Sequence, residues 1–376
     1  MKEFIADFHT HSKYSRATSP QSNLENFAIY GKIKGLDLIG TGDFTHPEWF
    51  KEIKTKLAQD SKGIYKLKEY PENNYGSDKV RFILTAEIAS IYKKNNKVRR
   101  IHSVLFAPDI ETAEKINKRL DAIGNIKSDG RPILGLDIKH LLEIILECSE
   151  DSVLVPAHIW TPWFSILGDK SGFDSVEEAF EDMSKYVFAL ETGLSSDPAM
   201  NWRISWLDKY TLISNSDAHS PAKLAREANL FNTSMDYNSI MNALKTKQGF
   251  LGTLEFFPEE GKYHFDGHRN CGVRLDPSEI SSLNGVCPVC GKNVTVGTMH
   301  RVEELADRPK GFKPEGAIPY HTIIPLEEII AEIVNSSTTS KLVTGLYNKI
   351  IDKFQSELAF LRDVPVEEIK KEFGEL

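Results

Sequence analysis

Residues 1 to about 250 alternate short apolar runs with longer stretches that are apolar on one side only. The short runs are Phe4–Phe8, Leu36–Gly40, Phe82–Ala86, Ile101–Phe106, Val153–Ala157, Val187–Leu190 and Tyr210–Ile213. The longer ones include Leu24–Ile33, Ile110–Ile123, Ile138–Leu146 and Ser239–Thr246. A short continuous apolar run suits a strand covered on both faces, and the helical spacing suits helices laid over such a sheet. Their alternation predicts an α/β domain with a mostly parallel sheet or barrel.

Polar clusters follow the strands: Asp7-His9-His11, Asp43 with His46, Glu87, His158, Glu191, and Asp217 with His219. Loops at the carboxyl ends of the strands build the active site of a parallel α/β barrel. Ligand-type residues at nearly every strand therefore favour a distorted barrel over an open sheet. His102 stands at the start of its run, so that strand is predicted to run antiparallel or to begin earlier. His9 and His11, one residue apart at a strand end, project to the same side and can reach one cation. Imidazole with carboxylate is a donor mixture that zinc, manganese and iron accept. Taken singly, each of His9, His11, Asp43, His46, Glu87, His102, His158, Asp217 and His219 is an ordinary strand cap or core residue. Together they predict a hydrolytic metal centre. Cations about 3.5–4 Å apart hold both the attacking water and the leaving oxygen of a phosphoryl displacement. Glu87 is the candidate bridging carboxylate.

After Gly252 the texture changes. Phe256–Gly261 reads as a linker, followed by His268-x2-Cys271 and Cys287-x2-Cys290. Two such pairs match a four-coordinate structural zinc ribbon that folds a segment lacking a core. His264 competes with His268 for the fourth position. A Pro-rich connector, Pro309–Pro325, leads to helical patterns at Leu326–Ile333 and Leu342–Leu361. The predicted division is a phosphoesterase domain over 1–250, a zinc-binding element over 251–322 and a helical region over 323–376.

Composition changes this picture little. The chain has 376 residues, 40% of them hydrophobic, enough for a sizeable core. Its net charge of −8 gives no global attraction for nucleic acid, but phosphate contacts need only a local basic surface. Four cysteines do not make a disulfide framework, and Cys148 reads as core. With no signal-like h-region and no run of roughly 20 apolar residues, the expectation is a cytoplasmic, non-membrane protein, by default monomeric.

The strings D-F-H-T-H-S from Asp7, Pro156-Ala157-His158 and S-D-A-H-S from Ser216, with Asp43, Glu87 and His102, resemble the polymerase-and-histidinol-phosphatase (PHP) family. The resemblance implies a distorted (β/α)7 barrel, a trinuclear metal centre and phosphoester hydrolysis. Where that family has Thr-Asp-His, this chain reads Thr41-Gly42-Asp43-Phe44-Thr45-His46; Asp43 carries over and His46 is left open. The zinc element from Lys262, the string from His300 to Pro309, Gly40–Pro47 and His158–Trp163 resemble the endonuclease Q family over essentially the whole chain.

That second resemblance implies a DNA repair endonuclease. It would cut 5′ of a deaminated base (uracil, hypoxanthine, xanthine) or an abasic site, leaving a 3′-hydroxyl and a 5′-phosphate. One cation would be held by His9, His11, Glu87 and Asp217, a second by Glu87, His102 and His158, and a third by Asp43 with His219. Asp217, Glu87 and His219 would carry the catalytic step, with Asp217 orienting the water. Zinc is expected at both centres, with Mg2+ or Mn2+ as alternatives in the active site. Testing a base requires taking it out of the stack. Trp160 and Trp163, then Phe164, Phe44 and Trp49, are the candidate stacking residues. Arg301 and Arg308, then Arg99, Arg100, Arg226 and Lys310, are the candidate phosphate contacts. Lys370–Leu376 has no aromatic pair of the kind a sliding clamp binds.

Two other readings compete. A small-molecule phosphatase of the histidinol-phosphate or nucleotide type needs the same core but gives no reason for the zinc element and helical tail. A non-catalytic nucleic-acid-binding module needs no complete ligand set, and would hold the ribbon zinc and little else.

Overall fold

A computed structural model describes residues 3–71, 77–261 and 263–374; Lys262, Glu375 and Leu376 of the motifs above lie outside the described residues. All seven apolar runs lie on strands: Phe4–Asp7, Leu38–Gly40, Arg81–Ile83 leading into Thr85–Lys94, Lys97–Phe106, Val153–Pro156, Ala189–Glu191 and Thr211–Ile213. The first three pair in parallel. Thr85–Lys94 and Lys97–Phe106 form a long antiparallel hairpin, and the latter strand is antiparallel to Val153–Pro156 as well. The His102 strand thus both runs antiparallel and begins earlier, at Lys97. Ala189–Glu191 is parallel to Thr211–Ile213. A parallel bridge between Thr10 and Ala218, with Phe8 N donating to Asn215 Oδ1 at 2.8 Å, brings the last of these strands back to the first. The ladders fall into separate sheets rather than one continuous ring of hydrogen bonds.

Alternate residues of these strands sort into two cores, as a period of two requires. Phe4, Ala6, Phe8, Leu38, Ile83, Val104, Phe106, Val155, Ala157, Ala189 and Ile213 share one buried cluster. Their neighbours Ile39, Phe82, Leu105, Leu154 and Leu190 pack into the other, with residues of the helices Leu24–Lys34, Ile110–Asp121 and Ile138–Cys148. Asn23, Asp109 and Asp137 cap those three helices, each accepting a first-turn N–H.

Several elements carried no clear sequence signal. The hairpin Leu57–Ser61/Ile64–Leu67 extends one edge of the large sheet. On the other side Ala228–Phe231 pairs antiparallel with Phe4–Asp7, followed by Phe250–Glu255 and then Tyr320–Thr322. The pattern expected as one helix over Leu342–Leu361 is two, Lys341–Phe354 and Glu357–Asp363. Gln355, at φ 71°, ends the first, and the Ser356 side chain caps the second. The C-terminal helices have their own apolar cluster. A buried ion pair, Lys34 Nζ to Glu357 Oε2 at 2.5 Å, ties them to Leu24–Lys34. No helix among the described residues is long and apolar enough to cross a membrane.

Candidate active site and metal centres

The strand ends bring two ligand sets together. His9, His11, Glu87 and Asp217 each offer one atom, all within 4.8 Å of one another, and so do Glu87, His102 and His158. Glu87 belongs to both. Its Oε2 lies 3.4 Å from His9 Nε2 and 3.2 Å from His11 Nε2. Its Oε1 lies 2.6 Å from His102 Nδ1 and 3.4 Å from His158 Nε2. Asp217 Oδ1 completes the first set, 3.0 Å from His11 Nε2 and 3.6 Å from His9 Nε2. His9 Nε2 and Glu87 Oε1 are buried without a hydrogen bond of proper geometry. Leaving such atoms unsatisfied is costly, and a divalent cation would satisfy both. The residues present therefore fit a metal. Asp43, His158 and Asp217 have φ of 49°, 28° and 47°, the kind of backbone strain that clusters at functional sites.

Outer carboxylates fix the imidazoles. A carboxylate only accepts, so His9 Nδ1, 3.0 Å from Glu191 Oε1, carries the proton and leaves Nε2 for the cluster. Glu191 also accepts from His158 N and Asn215 Nδ2, each at 2.8 Å. Asp43 does the same for His11, with Oδ1 3.1 Å from Nδ1. Its Oδ2 accepts from Ser12 N, Ser12 Oγ and Ser15 Oγ. Asp43 thus stands behind His11, and neither it nor His219 belongs to either set. His219 lies beside His11, ring centroids 4.4 Å apart. His46 stacks on Tyr14 at 4.5 Å, outside both sets. Asp7 accepts from Ser216 N and Ala225 N, both at 3.1 Å, and so holds the loop that carries Asp217. Burial pushes Asp7 up to about 6.

The electrostatics favour a cation. Burial opposes charge on His9, but the carboxylates of Glu191, Glu87 and Asp217 outweigh it and hold the imidazole well above its ordinary pKa. Burial likewise pushes Glu87 up, and His102, Arg131 and His9 bring it well below the usual carboxylate range. The field that favours a proton on His9 and His11 also favours the divalent ion that would displace it.

The second ligand set opens into a cavity of about 770 Å³ whose wall includes Arg100, Arg131, Arg226, Trp163, Phe164 and Tyr263. A second cavity, about 560 Å³, shares Trp163, Glu260, Gly261 and Tyr263 with the first and continues over Phe265–Gly267. Arg131 Nη1 reaches Glu87 Oε2 at 3.2 Å. A lone arginine in a turn gave no pattern to find it by; Glu191 followed a strand but was not included among the ligands.

A crystal structure of the lesion-specific endonuclease PfuEndoQ from Pyrococcus furiosus matches with a TM-score of 0.86 and 32% identity, covering 99% of this chain and 88% of that one. The chain belongs to the endonuclease Q family. A second endonuclease Q structure, in complex with a 27-mer duplex substrate with an abasic lesion at the active site, matches with a TM-score of 0.86 and 33% identity, over 98% of this chain and 89% of that one. The uncharacterized protein MJ0043 of Methanocaldococcus jannaschii is 31% identical over 243 residues, 60% of this chain but only 29% of that relative's length. Residues 325–374 match the model of the MJ0043 C-terminal domain.

In this endonuclease Q family chain the second centre is His268, Cys271, Cys287 and Cys290, again with all ligand atoms within 4.8 Å. His268 Nδ1 is 3.5 Å from Cys290 Sγ. His264 is buried against Phe265 and lies outside the set.

Several expected DNA contacts are corrected. Trp160 is 1% exposed and donates to Asn201 Oδ1, so it is core and not a stacking platform. Phe44 and Trp49 are buried too. Trp163 and Phe164 do reach the cavity. Arg301 donates to Leu167 O and Phe173 O and pairs with Asp174 and Glu304. Arg308 makes a two-pronged pair with Asp208, at 2.8 and 2.6 Å. Both guanidinium groups are already engaged within the protein, as is Arg99, buried over Phe173. Arg100 and Arg226 remain on the cavity wall, Arg226 with its Nε donating to Ser216 O at 2.9 Å.

Proposed function

We propose that the chain is a metal-dependent DNA repair endonuclease. It hydrolyses the phosphodiester 5′ of uracil, hypoxanthine, xanthine or an abasic site and leaves a 3′-hydroxyl and a 5′-phosphate. One observation carries this reading: Glu87 is shared by two imidazole–carboxylate sets beside an arginine-lined cavity, in a chain of the endonuclease Q family. The seven strands whose inner residues share one core support a distorted (β/α)7 barrel of PHP type over residues 1–250. Residues 251–322 are then the zinc-binding element, joined at both ends to the large sheet through Phe250–Glu255 and Tyr320–Thr322, and 323–376 the helical region.

His9, His11, Glu87 and Asp217 would hold one ion, and Glu87, His102 and His158 another, zinc in both cases or Mg2+ or Mn2+ in their place. Such ions supply Lewis acidity toward phosphoryl oxygens and lower the pKa of water. The chain's own residues do the rest. Asp217, with 28% of its side chain exposed, orients the attacking water. Glu87 keeps the two sets together, and His219, partly exposed beside His11, is the imidazole available for proton transfer. Arg100, Arg131 and Arg226 face the phosphates. Trp163 and Phe164 line the space that receives an extruded nucleotide.

The test is nicking of end-labelled duplexes carrying one uracil, hypoxanthine or abasic site, with an undamaged control, with and without chelator. A single chelator-sensitive cut 5′ of the lesion is expected. No cut on any lesion, with phosphate released from small phosphomonoesters, would replace this reading by the phosphatase.

A further inference from the structure

The segment that delivers His158, residues 158–173, has little regular structure, yet it is gripped from two sides. On one side Arg99 donates to Gly172 O, and Ser171 Oγ donates to Arg100 O at 3.0 Å. On the other the grip comes from the helix Thr298–Leu305. Thr298 Oγ1 donates to Trp160 O at 3.2 Å, Arg301 Nε to Leu167 O at 3.0 Å, and Arg301 Nη2 to Phe173 O at 3.3 Å.

That helix is in turn fastened to the Cys/His element. Gly297 N and His300 Nδ1 each reach the fully buried Asp266 carboxylate at 2.6 Å. Thr298 N donates to Tyr263 O, and Met299 N to His264 O. Asp266 opens the strand Asp266–His268, whose last residue belongs to the thiolate set. Gly267 and Thr295 exchange both backbone hydrogen bonds. Contacts therefore run without a gap from the thiolates to the loop of His158.

We infer that the helix Thr298–Leu305 is a strut through which the Cys/His element positions His158, with Arg301 and Thr298 as positioning residues for the set Glu87–His102–His158. The inference rests on the proposed reading of that set as a cation site. Thr298 holds the carbonyl of Trp160, and the next residue, Thr161, places its Oγ1 3.1 Å from His158 Nδ1. Thr161 thereby settles which nitrogen faces Glu87. His158 has a φ of 28°, which its backbone does not prefer, so the ring needs external support to stay 3.4 Å from Glu87. Losing an outer partner of a metal ligand typically costs about 10–100-fold in metal affinity or activity.

The test compares wild type, Arg301→Ala, Arg301→Lys and Thr298→Val for cation affinity in metal-buffered solution, with thiol titration to read the Cys/His site separately. Expected for Arg301→Ala are protected thiols, an unchanged Kd for a lesion duplex, and cation binding at one active-site position weakened about 10–100-fold, partly restored in Arg301→Lys. Thr298→Val, which removes a single hydroxyl, carries the same expectation if Arg301→Ala does not fold. Wild-type cation affinity in the variants would overturn the strut. Weakened duplex binding with normal cation affinity would also overturn it, and would return Arg301 to phosphate contact. Failure of the underlying reading looks different: the wild type itself would hold no active-site cation.

Discussion

Glu191 lies outside both ligand sets, yet it decides which nitrogen of His9 faces Glu87. Its replacement by alanine is expected to weaken active-site metal binding about 10–100-fold with the fold retained, measured by metal titration beside circular dichroism. Asp217→Ala should instead leave folding intact and abolish nicking; retained nicking would remove Asp217 from the catalytic step. At this scale the sequence was legible where spacing implies geometry. His9 and His11 share a side because a strand alternates, and the two x2 pairs of the thiolate site imply convergence. It was not legible where only three dimensions decide. Nothing in the string His158–Trp163 distinguishes buried Trp160 from Trp163 at 36% exposure. Nor does anything in the chain foretell that Asp43 sits behind His11, or that Asp174 and Asp208 neutralise Arg301 and Arg308.

The antiparallel strands Ala228–Phe231 and Phe250–Glu255 bring two acids close to each other under cover. Glu227 and Glu255 are fully buried. Burial pushes Glu255 up to about 8, and burial with the neighbouring Glu255 raises Glu227 well above the usual range. A carboxyl with a raised folded-state pKa stays protonated in the native protein while the unfolded chain has already released its proton. Stability from this source is therefore full below the unfolded pKa of 4.5 and falls until the folded value near 8 is passed. Urea unfolding at pH 5 and pH 8 should show a smaller loss in Glu255→Gln than in wild type; an equal loss would remove Glu255 as its source. Neither strand was read from the sequence, although both lie inside the sheet, because Asn229 in one and Gly252 and Thr253 in the other interrupt the continuous apolar run that marked the seven central ones. In the Leu57–Leu67 hairpin the outer strand, Leu57–Ser61, is a mostly polar run at the sheet edge.

Across the whole molecule the C-terminal helices are tied down at a buried carboxylate. Glu357 accepts from Lys34 at 2.5 Å, from Tyr347 Oη at 2.6 Å and from Leu326 N at 3.0 Å, all out of water. Glu357→Ala leaves Lys34 buried and unpaired, a change that costs about 3–5 kcal/mol. Hydrogen exchange over residues 326–363 should register it, and unchanged protection there would show the anchor to be dispensable. The helical character of this region was legible in its apolar spacing; its attachment was not, since Lys34 and Glu357 are ordinary charges until the fold joins them. Distance along the chain has one more consequence. The Cys/His set falls within residues 268–290, so a short stretch of chain brings its four candidate ligands together. His11 and Asp217 are 206 positions apart, and Phe8 and Asn215 are 207. The candidate active-site ligands can meet only after the last of the seven strands has returned to the first. A chain ending before Asp217 would therefore lack a member of the first ligand set and, on the proposed reading, could not nick DNA.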